Sequence, residues 1–278
     1  MDLAAIKQHW ENWAKEYQSD LRATTKTPTI KELEIQALYR AFKKTPFFQQ
    51  SGVEVLEVGC GNGHNCFRLA EAIPNFNFTG IDFVAGMISP AQKIKESHEK
   101  YQKMNFYLGN ILELEKNSNL QEHYSIVFTD RCLINLNTPQ LQEKALDQMY
   151  LKTMWNGYIV LIENVSETYS NQNKLRESVG LKRRTPEAFN LFLRESTFIQ
   201  YAKQRLHLVY CEDFASLHDL ILYVLVPMVN QGKVDYDHPL VVAATTLLLR
   251  NAEDLGNAFG SFGQNRLYIF HKVSSDEQ

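Results

Sequence analysis

The sequence has only four cysteines, Cys60, Cys66, Cys132 and Cys211, and no two of them form a C-x-x-C pair. A disulfide-stapled secreted domain carries paired cysteines at short spacings, and a structural zinc site needs several cysteines or histidines at ligand spacing. Neither pattern is present. We therefore expect a reduced, cytoplasmic protein with buried thiols and no metal.

Long apolar runs and an excess of positive charge are also missing. The most apolar segments, 220–229 and 240–249, are much shorter than the ~20 residues that span a bilayer, so they are predicted to be buried helices. The first residues, M-D-L-A-A-I-K-Q-H-W, lack the basic and apolar parts of a signal peptide. The net charge is −3, whereas general nucleic-acid binding needs a basic surface. The short basic clusters, Lys43-Lys44 and Lys182–Arg184, are interpreted as solvated surface.

A strand, a glycine turn and a helix follow one another from Val53 onwards. The letters V-E-V-L-E-V predict a buried strand, Gly59, Gly61 and Gly63 come next, and N-C-F-R-L-A begins a helix. Because glycine has no Cβ, such a turn brings backbone N–H groups close to a ligand. A dinucleotide fingerprint is one residue longer than this G-x-G-x-G spacing. The Glu57 carboxylate would also repel a pyrophosphate, whereas it would attract an ammonium group.

The next predicted strand, 76–83, alternates in polarity and carries Asp82 at its end, 19 residues beyond Gly63. A carboxylate at this position can accept hydrogen bonds from both hydroxyls of a ribose, in NAD or in S-adenosylmethionine. The spacing predicts a nucleoside cofactor and does not choose between the two.

The stretch E-V-G-C-G-N-G resembles motif I of the class I S-adenosylmethionine-dependent methyltransferases. The resemblance covers 53–164 by motif and 205–273 by pattern. It implies a doubly wound α/β fold whose seven-stranded sheet is mostly parallel, with the last strand antiparallel. It also implies methyltransferase activity, with S-adenosyl-L-methionine as cofactor and S-adenosyl-L-homocysteine as product. The cofactor-binding candidates are Glu57, Gly59, Cys60, Gly61, Gly63, Asp82, Phe83, Met87, Asn110, Ile111, Thr129 and Tyr17.

Two of these candidates have roles that come only from the resemblance. In the family, an acid at the position of Glu57 helps to fix the amino group of the cofactor. An acid often stands where this chain has Asn110, and there it bonds the adenine amino group. An amide oxygen can accept the same hydrogen bond.

Segments outside the predicted sheet are interpreted as covers for the site. Ile6, Trp10, Trp13 and Tyr17 form one stripe of an amphipathic helix over 3–18. Residues 1–50 are predicted to form a helical lid from which Tyr17 reaches the cofactor; a helix that only packs on the domain is the alternative. In the domain 51–273, helical cap insertions are predicted at about 165–204 and 214–262. A disordered tail is predicted at 274–278.

Polar residues at the carboxyl ends of the strands are candidates for the acceptor site, because parallel sheets bind ligands there. A hydroxyl acceptor needs a general base, for which Asp130, Glu163 and His207 are the candidates, with His218 as a further one. A carbon or amine acceptor needs none. The substrate-binding candidates are Arg22, Lys26, Arg131, Asn135, Asn164 and Arg176. Their cations favour an acidic, phosphate-bearing or sugar-like acceptor, while solvated loops and structural ion pairs are the alternative.

Three functions are compatible with these features. Methyl transfer to a small molecule is preferred, because the acidic net charge and the long capping segments argue against a macromolecular substrate. RNA or protein methylation is the second, although the N-P-P-Y/F motif of many amino-group methyltransferases is replaced by T-D-R-C. Non-catalytic nucleotide binding or NAD-dependent oxidation is the third. No membrane or nucleic-acid partner is expected, and the oligomeric state is open, with a homodimer as one option.

Overall fold

The computed structural model describes residues 1–25, 27–255 and 257–273. Within these residues, seven strands form one sheet in the order β3-β2-β1-β4-β5-β7-β6. The strands are β1 Val53–Val58, β2 Phe76–Asp82, β3 Asn105–Leu108, β4 Tyr124–Asp130, β5 Thr153–Asn164, β6 His207–Glu212 and β7 Asn265–His271.

Pairing is parallel from β3 to β5, and β7 runs antiparallel to both of its neighbours, β5 and β6. From β1 the chain moves outward to β2 and β3, and then crosses back to β4 on the other side of β1. The carboxyl ends of β1 and β4 therefore lie at the topological switch point, where such sheets bind ligands. The predicted seven-stranded sheet with an antiparallel last strand is confirmed.

Helices cover both faces of the sheet. On one face α2 and α3 pack through Leu38, Phe42 and Leu69; on the other, α5 and α7 pack through residues such as Met149 and Phe198. The helices are α1 Leu3–Tyr17, α2 Pro28–Lys43, α3 His64–Ala72, α4 Ala85–Ser97, α5 Pro139–Lys152, α6 Ser166–Ser178, α7 Glu195–Ala202, α8 Ser216–Leu220, α9 Val226–Val229, α10 Pro239–Arg250 and α11 Ala252–Leu255. Helix α4 begins directly after the turn that follows β2 and contains Pro90.

Two long connections lie beyond the strand–helix core. Between β5 and β6 the chain forms α6 and α7, joined by the loop 179–194. Between β6 and β7 it forms α8, a π-helical turn at Ile221–Leu225, and then α9 to α11. These connections occupy the ranges predicted as insertions, and the division into lid, domain and caps stays a prediction. The predicted tail at 274–278 lies outside the described residues.

The N-terminal helix is tied to the rest of the chain by polar contacts. Trp13 Nε1 donates to the carbonyl oxygen of Arg22 at 2.8 Å, and Asn62 Nδ2 donates to those of Gln18 and Asp20 at 3.1 and 3.0 Å. In the part of the chain that the structure describes, no helix has both the length and the apolar character needed to cross a membrane. The same residues contain no group of three or more His, Cys, Asp or Glu that could hold a metal ion.

Candidate active site

The glycine turn between β1 and α3 has a backbone that other residues rarely adopt. φ is +76° at Gly59, +54° at Gly61 and +81° at Gly63. A Cβ at Gly59 would lie 2.5 Å from Sγ of Cys132, and one at Gly61 would lie 2.6 Å from Cγ2 of Thr24. Because both the left-handed backbone and the close approach exclude side chains, the turn leaves a cradle of main-chain atoms at the end of β1.

A cavity of about 450 Å³ lies over this cradle. Its volume falls within the ~300–1,000 Å³ that is typical of small-ligand sites. Its walls come from α1, residues 23–25 and 27–31, the carboxyl ends of the strands, the loop 179–194 and the β6–β7 connection. Of the predicted cofactor residues, the cavity is lined by Gly59, Cys60, Gly61, Asp82, Phe83 and Met87.

Asp82 joins the ends of β1 and β2 in the cavity wall. Its Oδ2 accepts the N–H of Gly61 at 2.9 Å, and its Oδ1 accepts the N–H of Val84 at 2.9 Å. Burial raises the pKa of Asp82 to about 6, against the lowering effect of these backbone hydrogen bonds. The group is therefore ionised at pH 7, and each oxygen keeps a lone pair for a ribose hydroxyl. The cradle and this carboxylate together fit a nucleoside cofactor.

Glu57, in contrast, does not line the cavity. Its fully buried side chain lies between the sheet and α3, where it accepts hydrogen bonds from Asn65 Nδ2 at 2.8 Å and Cys66 Sγ at 2.9 Å. Burial raises the pKa of Glu57 to about 8. Burial thus favours the neutral form of Glu57 in this position outside the cavity, and its contact with the amino group of the cofactor stays a prediction.

Five other cofactor candidates are not among the lining residues: Gly63, Asn110, Ile111, Thr129 and Tyr17. Exposed Asn110 accepts the N–H of Leu112 at 3.0 Å, as the cap of a short 3₁₀ turn. The hydroxyl of Thr129 donates to Glu163 at 2.8 Å. The Asn110 and Thr129 side chains therefore have local partners, and contact of these five residues with the cofactor stays a prediction.

The aromatic stripe of α1 does reach the cavity, through residues other than the one predicted. Trp10 and Trp13 line the cavity. Tyr17 packs outside it, 5.0 Å from the ring of Trp13. Trp10 Nε1 donates to Oδ1 of Asn135 at 3.1 Å, and Phe189 of the loop 179–194 packs 5.6 Å from the Trp10 ring. Helix α1 and this loop therefore meet over the cavity.

Of the three predicted bases, only Asp130 lines the cavity. Contrary to expectation, Glu163 is buried below it, where its Oε1 accepts the N–H groups of Cys132 at 3.1 Å and Leu133 at 2.9 Å. Burial raises the pKa of Glu163 to about 7. His207 is exposed at the amino end of β6. Parallel sheets bind ligands at the carboxyl ends of their strands, so His207 lies at the wrong end to act as the base.

Asp130 belongs to a buried network of charges. Lys31 Nζ lies 2.5 Å from Oδ2 of Asp130 and 2.7 Å from Oε2 of Glu34, and Arg131 Nε lies 2.9 Å from Oε1 of Glu34. Burial alone would raise the pKa of Asp130, but the Lys31 and Arg131 charges outweigh it and lower that pKa. Two cations and two carboxylates balance, and Asp130 is held as an ion-paired carboxylate rather than as a ready base.

The predicted substrate residues divide into two groups. Arg131, Asn135 and Asn164 line the cavity. Exposed Arg22 pairs with Asp20 at 2.8 Å, and the Arg176 guanidinium is held by the carbonyl oxygens of Lys182 and Tyr223. Lys26 lies outside the described residues. The structure therefore does not bring Arg22 and Arg176 into an anion site with Arg131.

Arg184 was expected to be solvated, yet it lines the cavity. Its Cζ lies 3.4 Å from the ring centroid of Tyr223, and its Nη1 donates to Oε1 of Gln172 at 2.8 Å. Tyr223 is part of the π-helical turn, a feature that is frequent at functional sites. Nothing in the basic cluster distinguishes Arg184 by sequence. Lys31 does have a signal in the sequence: it is a charged residue next to the apolar face of α2, and this position indicates a buried ion pair.

Comparisons with known proteins agree with this architecture. Residues 49–209 match the family model described as a methyltransferase domain. The chain is 22% identical, over 146 residues, to malonyl-[acyl-carrier protein] O-methyltransferase of Bacillus cereus. That match covers 51% of this chain, and the chain spans about half, 50%, of the relative's length.

Two solved structures resemble nearly the whole chain. The first is a chain from the Haloferax volcanii complex that contains the Trm112 methyltransferase activator; its TM-score is 0.61 at 12% identity, covering 95% of this chain and 98% of that one. The second is the N-methyltransferase NodS of Bradyrhizobium japonicum with S-adenosyl-l-homocysteine; its TM-score is 0.57 at 15% identity, covering 97% and 99%. At these identities the likeness shows a shared fold.

Proposed function

Because the chain belongs to the class I S-adenosylmethionine-dependent methyltransferase family, whose domain model matches 49–209, we propose that it methylates a small molecule with an acidic group. The observation that carries the small-molecule part is a cavity with covers on two sides. Trp10 and Trp13 of α1 lie on one side of it, and Phe189, Tyr169 and the β6–β7 connection lie on the other. A nucleic acid or a folded protein would need an open groove in place of these covers.

The cofactor half of the cavity would be formed by Gly59, Gly61, Asp82, Phe83 and Met87. When it is bound there, S-adenosyl-L-methionine supplies an activated methyl group. The chain's own residues bind and align the reactants and exclude water, and alignment of this kind lowers a barrier by ~7–11 kcal/mol. Asp82 accepts the ribose hydroxyls, and Trp10 and Trp13 exclude solvent.

The acceptor half contains a cation with neutral partners. The guanidinium of Arg184 contacts the Gln172 amide and the rings of Tyr169 and Tyr223. Arg131, by contrast, is already compensated by Glu34. A carboxylate or phosphate on the acceptor would therefore pair with Arg184. Aromatic rings and amides beside it would also suit an acidic sugar derivative.

The first experiment tests the cofactor. Thermal stability is measured with S-adenosylhomocysteine and, as a control, with NAD. A ligand at a hundred times its Kd adds about 2.7 kcal/mol of stability. We expect a shift with S-adenosylhomocysteine that Asp82→Ala removes. A shift with NAD alone would contradict the proposal.

The second experiment tests the acidic acceptor. Release of S-adenosylhomocysteine is followed with carboxylic acids and with their uncharged methyl esters. We expect transfer to the acids, and a KM that Arg184→Met raises by at least ~tenfold, since a charged hydrogen bond contributes ~1.5–3 kcal/mol. Arg183→Met is the matched control, because Arg183 pairs with Glu177 at the surface. Equal KM values for the two variants would contradict the role of Arg184.

A further inference from the structure

A continuous chain of hydrogen bonds leads from the cavity wall into the β6–β7 connection. Thr27 lines the cavity, and its Oγ1 lies 2.9 Å from Oγ1 of Thr29. Oγ1 of Thr29 lies 3.1 Å from Nε2 of His218, whose Nδ1 lies 2.8 Å from Oδ1 of Asp219. The exposed fraction is 5% for Thr27, 1% for His218 and 3% for Asp219. Thus two segments that are far apart in sequence share one polar path, which is buried at its two ends and half-buried at Thr29.

The direction of this path follows from what each group can donate. An ionised Asp219 only accepts, and its Oδ2 already accepts the N–H of Gln264 at 2.7 Å. Nδ1 of His218 must then donate to Asp219, which leaves a lone pair on Nε2. Thr29 donates its hydroxyl proton to that lone pair and accepts the proton of Thr27. The two hydroxyl protons therefore point from Thr27 toward Nε2 of His218, and the Nδ1 proton points toward Asp219.

The hydroxyl of Thr27 does not cap the helix that follows it. Thr27 occupies the N-cap position of α2, before Pro28, but its side chain makes no capping hydrogen bond. An N-cap threonine normally accepts a backbone N–H and stabilises its helix by ~1 kcal/mol. Here the hydroxyl bonds Thr29 instead, and a lone pair of Thr27 is left for a group in the cavity.

Three titratable groups that line the cavity, Asp130, His64 and Asp82, are poorly suited to take a proton. Asp130 is paired with Lys31 at 2.5 Å. His64 also lines the cavity, but burial and the nearby Lys31 charge lower the pKa of His64 to about 4. Asp82 is committed to the cofactor half of the cavity.

We propose that the acceptor atom is a hydroxyl oxygen, and that Thr27, Thr29 and His218 carry its proton out of the cavity. This inference rests on the proposed methyl transfer. The oxygen–methyl bond forms as the methyl–sulfonium bond breaks. The acceptor proton passes to Thr27, the proton of Thr27 passes to Thr29, and the proton of Thr29 passes to Nε2 of His218. The positive charge of the sulfonium is thereby replaced by an imidazolium that Asp219 stabilises. Thr29, His218 and Asp219 are positioning residues, since they act through Thr27.

The first test needs no acceptor. The tautomer of His218 is read from ¹⁵N chemical shifts of the full chain labelled in its histidines, with His218→Gln for assignment. We expect protonated Nδ1 and unprotonated Nε2, and a shift of the Nε2 signal in Thr29→Val that is absent in Thr29→Ser. A protonated Nε2, or a Thr29→Val spectrum identical to the wild type, would overturn the path.

The second test uses paired acceptors that differ only in the reacting group: salicylate and anthranilate, 4-hydroxybenzoate and 4-aminobenzoate, lactate and alanine. We expect methylation of the hydroxyl member. Thr29→Val should lower kcat by at least ~10²-fold, the usual contribution of general base catalysis, with little change in KM. Thr29→Ser should restore kcat.

Thr245→Val is the matched control for loss of a buried threonine hydroxyl, because Thr245 donates only within α10, to the carbonyl oxygen of Val241 at 2.8 Å. It should keep the wild-type kcat. Methylation of amines alone, or equal kcat values for Thr29→Val and Thr245→Val, would overturn the proposal. If S-adenosylhomocysteine binds but no probe is methylated, the result would count against the proposed acidic acceptor. The measured tautomer of His218 would then be the test of the hydrogen-bonded path.

Discussion

Asn62, in the glycine turn, donates a hydrogen bond of 3.0 Å to the backbone carbonyl oxygen of Asp20, which lies just beyond α1. A second bond of 3.1 Å from the same amide reaches the carbonyl oxygen of Gln18. The cradle for the cofactor and the helix that covers it are thus joined by one side chain, which is itself 2% exposed. The conformation of the glycine turn and the position of α1 over the cavity should therefore be coupled.

Replacing Asn62 by Leu should loosen α1 and weaken cofactor binding together. Loss of the amide removes two hydrogen bonds to the end of α1, each of which contributes ~0.5–1.5 kcal/mol. We expect faster hydrogen exchange over 3–17 and a higher Kd for S-adenosylhomocysteine. Asn77→Leu is the control, because the Asn77 amide bonds Glu54 away from the cavity. Unchanged exchange in Asn62→Leu would contradict the coupling.

Gly59 and Gly180 form a matched pair for testing the cradle. Both have φ of +76°, but a Cβ at Gly59 would meet Sγ of Cys132 at 2.5 Å, whereas a Cβ at Gly180 has nothing within 4 Å. Gly180→Ala should cost only the backbone strain, ~1–2 kcal/mol. Gly59→Ala should cost more and should abolish binding of S-adenosylhomocysteine. Urea unfolding and calorimetry measure both effects, and equal losses of stability would show that the close approach is unimportant.

Glu57→Gln should change how stability depends on pH. The pKa of Glu57 rises from 4.5 to about 8 on folding, because burial disfavours the charged form. The stability from its neutral form is fully present below pH 4.5 and is lost as pH rises toward about 8, by up to ~1.4 kcal/mol per unit.

The amide introduced by Glu57→Gln does not titrate, so the variant should gain stability relative to the wild type between pH 5 and pH 8. Urea unfolding at four pH values measures this difference. Glu54→Gln, on the same strand but half-buried, shows the effect of the substitution alone. A constant difference between Glu57→Gln and the wild type would mean that Glu57 is ionised in the folded protein.

Asp82 should make cofactor binding sensitive to mild acid. Its carboxylate accepts hydrogen bonds, and protonation below about pH 6 removes acceptor capacity. The affinity for S-adenosylhomocysteine should fall between pH 7 and pH 5, approaching ~tenfold per pH unit below the pKa. Asp82→Asn should bind more weakly and without this dependence. Calorimetry over this range gives both results, and a parallel pH dependence in the two proteins would point to another group.

The fold could be predicted because its signals are local. Most strands are short apolar runs, and the turn after β1 is marked by Gly59, Gly61 and Gly63. Asp82 could also be located, since its position follows from the end of β2. The antiparallel β7 came from the resemblance rather than from its own letters, because strand order depends on pairings between distant residues.

The acceptor half of the cavity could not be predicted in the same way. Thr29 and His218 are separated by 189 positions and meet only in the folded chain. Glu57 was assigned by motif, but the motif does not record which side of β1 its side chain occupies. Arg184 follows two other basic residues, Lys182 and Arg183, which are exposed, and the sequence does not distinguish it from them. The roles of these residues depend on contacts between segments that are distant in sequence, and the sequence alone does not show those contacts.

The place of β7 between β5 and β6 has a consequence for how the chain assembles. Strand β6 hydrogen-bonds only to β7 among the described strands, so it cannot join the sheet until residues 265–271 have been synthesised. Asn265, at the start of β7, also contributes its side chain to the cavity wall. A nascent chain can therefore form the cradle around Gly61 early, whereas the acceptor half is completed by the last strand to dock. Competence to bind the acceptor should therefore appear only after residues 265–271 have docked.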